Sequence, residues 1–229
     1  PSGIIISSGT TATAISVSNN TISGLTSSGT GMTSGIYSNS VNHTIFNNKI
    51  SNIKNTNSGG YLANGIFLGS TSTTANITLY NNFIFDIAGY GYTTTVTDNG
   101  YGIVLYSGGG YNLYNNTINM NTNQTTGYSS AIYIYSSLVT AGSVNIRNNI
   151  FANTQTGGAT ADNRYAIYCA ATSNTIFGTI DHNNYYSSGT HLGSINSNNR
   201  TTLNNLKNST SGFGGNANSI SAIPTFTSA

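Results

Sequence analysis

Apolar and polar positions alternate along this chain in a phrase that keeps returning: apolar-x-Asn-Asn-x-apolar. It reads Val17-Ser18-Asn19-Asn20-Thr21-Ile22, then Ile45-Phe46-Asn47-Asn48-Lys49-Ile50, then Leu79-Tyr80-Asn81-Asn82-Phe83-Ile84. Leu113-Tyr114-Asn115-Asn116-Thr117-Ile118 and Ile146-Arg147-Asn148-Asn149-Ile150-Phe151 follow. A sixth copy, Ile180-Asp181-His182-Asn183-Asn184-Tyr185, carries His182 in the first Asn place. The second Asn of each copy falls at 20, 48, 82, 116, 149 and 183, giving spacings of 28, 34, 34, 33 and 34. Between these copies lies a second phrase, a small residue followed by Ile and usually an aromatic. Its copies begin at Gly35-Ile36-Tyr37, Gly65-Ile66-Phe67, Gly102-Ile103-Val104, Ala131-Ile132-Tyr133 and Ala166-Ile167-Tyr168.

The period of two marks short strands, in which successive side chains point to opposite faces. The apolar residue before each Asn pair then points inward, and the next one outward. The chain turns at Asn-Asn, because Asn is among the few residues that accept a left-handed backbone. After the turn Ile22, Ile50, Ile84, Ile118, Phe151 and Tyr185 point inward again. A side-chain amide both donates and accepts. Stacked coil upon coil, Asn20, Asn48, Asn82, Asn116, Asn149 and Asn183 are expected to form a ladder parallel to the axis.

Self-similarity at a fixed period of this length signals a solenoid. The expected fold is an all-β, right-handed parallel β-helix of about six coils, with three strands per coil. At about 4.8 Å per strand it would be a rod on the order of 30 Å long. One domain is expected over 1–229, with 190–229 as an irregular segment packed on the last coil. No amphipathic helix is evident. The polar stretches Asn55–Tyr61, Thr93–Asn99, Asn121–Ser130 and Thr154–Asp162 are expected as loops projecting from one corner. With no signal peptide at Pro1 and no sorting segment at Ala229, the sequence reads as a piece of a longer or processed protein.

Composition supports a polar but folded chain. Only 4% of residues are charged and Glu is absent, yet there are 16 Tyr, and Ile and Val recur at regular intervals. A net charge of +2 from scattered Lys and Arg argues against nucleic-acid binding. No apolar run approaches the ~20 residues of a membrane span. Cys169 lacks a disulfide partner and reads as a small core residue.

Two outward columns can be written from the register. One is Tyr37, Phe67, Val104, Tyr133 and Tyr168. The other is Ser18, Phe46, Tyr80, Tyr114, Arg147 and Asp181, in which Arg147 and Asp181 are expected to pair across adjacent coils. Flat aromatic faces stack on sugars, so Tyr37, Phe67, Tyr133, Tyr168, Phe46, Tyr80 and Tyr114 are the candidate contacts for a glycan or a partner. The competing reading, and the favoured one, is cross-strand aromatic packing that stabilises the sheet, with loops covering part of it. An ice-binding face would want a flat Thr array, which these columns do not offer.

At this point the chain resembles the repeats of pectate-lyase-like parallel β-helix proteins, over roughly residues 15 to 190. A narrower resemblance is to long Asn/Thr-rich surface and secreted proteins of Bacteroidota that leave the cell by the type IX route. It is carried by Ser143 to Thr154, Asp181-His182-Asn183-Asn184-Tyr185-Tyr186 and Ile223-Pro224-Thr225-Phe226. These resemblances imply an extracellular or cell-surface location. They leave activity open, because the fold hosts lyases, hydrolases, spikes and adhesins.

The chemistry on offer is sparse. A lyase of this fold needs a basic residue and usually acidic Ca²⁺ ligands, and a glycosidase needs clustered carboxylates. Asp86, Asp98, Asp162 and Asp181 occupy different places in the repeat. Asp181, His182 and Arg147 are the one polar cluster with a geometric argument, and it reads as a surface ion pair beside a His substituting in the Asn ladder. His43 and His191 have no partner nearby in sequence. No transition-metal spacing occurs, and Ca²⁺ held by turn carbonyls is possible but not indicated. The expectation is a structural or adhesive stalk or filament segment, without catalytic activity or cofactor, that contacts itself or neighbouring repeats. The alternatives are a carbohydrate-binding module and a polysaccharide lyase or glycoside hydrolase.

Overall fold

A computed structural model describes residues 1–7, 9, 13–90, 96–124, 126–157 and 160–226. The expected loops at 93–99, 121–130 and 154–162 therefore have residues 93–95, 125, 158 and 159 outside the described set. So do 227–229 of the C-terminal segment.

The chain winds as a parallel β-solenoid of about 5 turns. The first sheet stacks β1 (Ser2–Ile6), β4 (Thr33–Ser38), β7 (Ala63–Leu68), β11 (Gly100–Leu105), β14 (Ser129–Ile134), β17 (Arg164–Cys169) and β20 (Gly193–Ile195). The second stacks β2 (Ile15–Ser18), β5 (His43–Phe46), β8 (Ile77–Tyr80), β12 (Tyr111–Tyr114), β15 (Val144–Arg147) and β18 (Phe177–Asp181). The third holds β3 (Thr21–Ser27), β6 (Lys49–Asn55), β9 (Phe83–Phe85) with β10 (Ile87–Gly89), β13 (Thr117–Met120), β16 (Ile150–Asn153) and β19 (Asn184–Ser187). Six strand triplets stack across five steps, so the expected six coils amount to about five turns of rise.

Register follows the repeat. Ile36, Ile66, Ile103, Ile132 and Ile167 align in the first sheet, and Ile45, Leu79, Leu113 and Ile146 in the second. All of these are fully buried and form one continuous core. The small residue before each Ile is required by crowding. A Cβ on Gly65 would meet Ile84 Cγ2 at 2.4 Å and the Gly102 carbonyl oxygen at 2.6 Å.

The four stretches expected as loops all run from the third sheet to the first, at one corner, as the sequence suggested. They do not simply project. They fold back over the first sheet and enclose a second apolar cluster around Phe67, Val104, Tyr133 and Tyr168.

The two ends differ. Past β20 the chain forms an antiparallel partner, β21 (Asn198–Arg200), and then a helix, α1 (Leu203–Lys207). Strands β20 and β21 and helix α1 all fall within the segment 190–229 that was expected to be irregular. The start of α1 is a capping box, Thr202 with Asn205, too short for a helical pattern to show. Leu206 and Phe213 are buried over the last coil. The stretch 216–220 then passes from β18, where Asn216 bonds to the Ile180 carbonyl, to β19, where Ile220 bridges to Asn184.

Candidate functional site

Each Asn-Asn step performs two different jobs. The first residue takes the left-handed turn: Asn19, Asn47, Asn81, Asn115 and Asn148 all have φ between 53° and 59°, and His182 has φ 57°. The second residue points inward. Asn48, Asn82, Asn116, Asn149 and Asn183 are at most 1% exposed. The side-chain amide of Asn20 donates to Asn48 Oδ1 at 3.0 Å, Asn48 to Asn82 at 3.0 Å, and Asn82 to Asn116 at 2.9 Å. Asn116 donates to Asn149 at 3.0 Å and Asn149 to Asn183 at 3.1 Å. Each acceptor oxygen also takes the backbone N–H of the Asn one coil earlier. His182 therefore replaces a turn residue, not a ladder residue as the sequence reading had it. The ladder passes through Asn183 unbroken.

The two outward columns separate sharply. Phe67, Val104, Tyr133 and Tyr168 are 6%, 0%, 1% and 6% exposed, and Tyr37 is half-buried. Tyr101 reaches the Val96 carbonyl and Tyr135 the Thr97 carbonyl at 2.8 Å, tying the corner loop down over this column. Burial first, then the nearby Tyr168 phenol, Asp98 carboxylate and Cys169 thiol, pushes the Tyr133 hydroxyl well above its usual range. Of the two readings of this column, the burial of Phe67, Tyr133 and Tyr168 agrees with cross-strand packing under loop cover. Strand periodicity does not register that cover.

The second column stays at the surface. Phe46, Tyr80 and Tyr114 are half-buried and in register, with Arg147 and Asp181 beyond them. Phe46 and Tyr80 stack with ring centroids 4.7 Å apart and planes 9° from parallel. Each of these two rings therefore has one face covered by the other, whereas sugar stacking needs a free face. Tyr114 donates to Asn112 Oδ1 at 3.1 Å, and Asn145 donates to the same oxygen at 3.0 Å.

The expected Arg147–Asp181 pair is not among the ion pairs of the described residues, although the two are register neighbours. Asn218 occupies Asp181 instead, through its backbone N–H and its side-chain amide, both at 2.8 Å. His182 Nδ1 lies 3.4 Å from the same carboxylate. Desolvation pushes this carboxyl up, but the Asn218 and His182 hydrogen bonds outweigh it and hold the group below its usual range.

The other carboxylates are dispersed. Asp86 pairs with Lys54 and also accepts from Thr122. Asp98 accepts from Thr97 at 3.0 Å, and Asp162 lies in a 3-10 turn over Ala161–Asn163. Among the described residues no group of three or more His, Cys, Asp or Glu side chains converges on a metal-sized site. His43 occupies an inward position aligned with Ile15 and Ile77. Burial holds it below its ordinary pKa.

Sequence reasoning missed a second set of amides at the loop corner. Gln124 and Gln155 are fully buried. Gln124 Oε1 accepts from Gly89 N–H, Gln155 Oε1 accepts from Gln124 N–H, and Gln124 Nε2 holds the Thr126 and Tyr128 carbonyls. These residues pin the corner loops. A Gln is rare in this Asn-rich chain, and that rarity was the available signal.

Set beside protein-family models, curated proteins and solved structures, the chain matches none. The fold defines the class: an all-β parallel solenoid with an internal Asn ladder.

Proposed function

We propose that this chain is a structural or adhesive segment of an extracellular cell-surface or secreted protein, a length of stalk without catalytic activity. The observation that supports this reading most is the ladder. Its amides are buried and bonded to one another at every step, so the residues that dominate the sequence hold coil to coil. The four Asp side chains sit at separate places in the repeat, and Asp86, Asp98 and Asp181 are engaged in bonds to neighbouring side chains or backbone. The extracellular placement rests on the resemblance to Asn/Thr-rich exported proteins.

A second reading, carbohydrate binding, draws on the half-exposed Phe46, Tyr80 and Tyr114 stripe with Arg147 at its end. Against it, Phe46 and Tyr80 already cover one face of each other.

Two measurements separate these readings and the enzymatic one. Incubation with neutral and uronate polysaccharides is expected to release no reducing or unsaturated ends; release would overturn the structural reading. A glycan array probed with the wild type and with a Tyr80→Ala/Tyr114→Ala double variant is expected to be blank for both. Binding lost in the variant would establish the carbohydrate module.

A further inference from the structure

The two ends of the solenoid are chemically unlike. At the C-terminal end the chain completes its own ladder. Asn183 N–H donates to Ser219 Oγ at 3.0 Å, in place of the Oδ1 that a further Asn would supply. Ile220 N–H donates to the Asn183 carbonyl at 2.9 Å, and Tyr185 N–H to the Ile220 carbonyl at 3.0 Å. Leu206 and Phe213 seal the core beneath.

The N-terminal end has no such closure among the described residues. Strands β1, β2 and β3 are the outermost of their sheets. Ile4, Ile15, Val17 and Leu25 are inward residues that stay partly exposed. Their equivalents one coil on, Ile36, His43, Ile45 and Ile53, are at most 2% exposed. Among the described residues Asn20 Oδ1 receives no donor, while every later ladder oxygen receives two from the coil before it.

From this polarity we infer that the N-terminal rung is a docking face for one further parallel β-coil carrying an Asn at the ladder position. That Asn directs its side-chain amide and its backbone N–H at Asn20 Oδ1. Asn20 Nδ2 in turn finds a carbonyl three residues before the incoming Asn, as Asn48 finds Val17 at 2.9 Å. The surface is continuous in kind with the rung-to-rung interface already repeated five times, which specifies its occupant. A second copy of the chain fits neither way round. Its C-terminal face is covered by its own residues 203–222. Its N-terminal face would set one unfilled acceptor against another, with strands running antiparallel.

The inference extends the stalk reading by saying which end of this segment accepts more stalk. It stands or falls separately, because catalysis is read by glycan cleavage and docking by protection of the first coil. The test places a copy of residues 33–62 directly before Pro1, where the register Thr33↔Ala63 puts Ala63 at the position of Pro1. Three proteins are compared: the chain itself, the lengthened chain, and the lengthened chain with Asn48→Ala in the added copy only.

Lengthening is expected to raise the urea midpoint, slow hydrogen exchange in β1–β3 by tenfold or more, and abolish binding of an apolar fluorescent dye. The Asn48→Ala copy is expected to give back a large part of that protection. An added coil that stays protease-sensitive and leaves β1–β3 exchange unchanged would overturn the inference. So would equal protection with and without the added Asn. The unlengthened chain is expected to sediment as a monomer. A dimer that protects β1–β3 would overturn the inference, because the occupant would then be a second copy.

Discussion

Asn116 Oδ1 accepts two hydrogen bonds from Asn82, one from the side-chain amide at 2.9 Å and one from the backbone N–H at 3.1 Å. Asn116 in turn donates to the Leu79 carbonyl at 3.0 Å and to Asn149 Oδ1 at 3.0 Å. Asn116→Ala deletes all four bonds and strands the buried Asn82 donors. An unsatisfied buried group costs about 1–3 kcal/mol, so a loss of about 2–4 kcal/mol is expected. Urea unfolding followed by circular dichroism measures it. A loss below about 0.5 kcal/mol, the size of an ordinary surface substitution, would remove the ladder from the stability account.

The neighbouring residue answers to a different rule. Asn115 is exposed and sits at φ 55°. Asn115→Gly is expected to be close to neutral, since Gly enters the left-handed region freely. Asn115→Val is expected to cost about 1–2 kcal/mol, the penalty for a branched side chain there. If both variants unfold together with the wild type, the turn does not depend on the left-handed residue.

Crowding at the first sheet predicts a third result. Gly65→Ala puts a methyl 2.6 Å from a backbone oxygen and 2.4 Å from Ile84 Cγ2. Overpacking of this kind costs about 1–3 kcal/mol. Gly29→Ala, whose nearest neighbour would be Ser27 Oγ at 3.7 Å, serves as the control and is expected to be harmless. Thermal melts of the pair give the comparison.

Stability should fall at both extremes of pH, for separate reasons. Burial lowers the pKa of His43, so the unfolded chain binds this proton more readily. Its contribution is present above the unfolded value of about 6.5 and is lost as pH falls through it. His43→Ile, which installs the residue of the aligned Ile15 and Ile77, is expected to flatten the urea midpoint between about pH 7 and 5. On the alkaline side the Tyr133, Tyr135 and Tyr165 phenols are raised by burial first and by neighbouring groups second. Their contribution is present below about pH 10 and is lost as pH rises. A phenolate absorbance titration should show these rings ionising only with unfolding.

Cys169 tests the core directly. It aligns with Ile134 and Ile195 in inward register, and burial pushes its thiol up to about 12. Labelling by a thiol reagent at pH 8 is expected to proceed at the unfolding rate, whatever the reagent concentration. Rapid labelling of the folded chain would contradict the packing.

Much of this was legible in the chain because a solenoid writes its geometry locally. Each Asn-Asn pair specifies a turn by itself, and equal spacing stacks the turns. That is why Asn20 to Asn183 could be assigned to a ladder from spacing alone. The split of duties within the pair, and the place of His182 in it, required backbone angles. The Arg147–Asp181 pair failed because adjacency in register says nothing about a third group, and Asn218 arrives from a distant part of the chain.

By itself, then, the sequence determined the coil, the three-strand rung, the inward columns and the ladder, since all of these follow from side-chain alternation over a few residues. Only the tertiary structure decided which outward column meets solvent and which end is closed. Both depend on where long polar segments fold back: the corner loops over Tyr133 and Tyr168, and residues 203–222 over the last rung. Such segments carry no period to read. Their placement comes from scattered contacts, such as Tyr101 with Val96 and Asn183 with Ser219, that only the folded chain brings together.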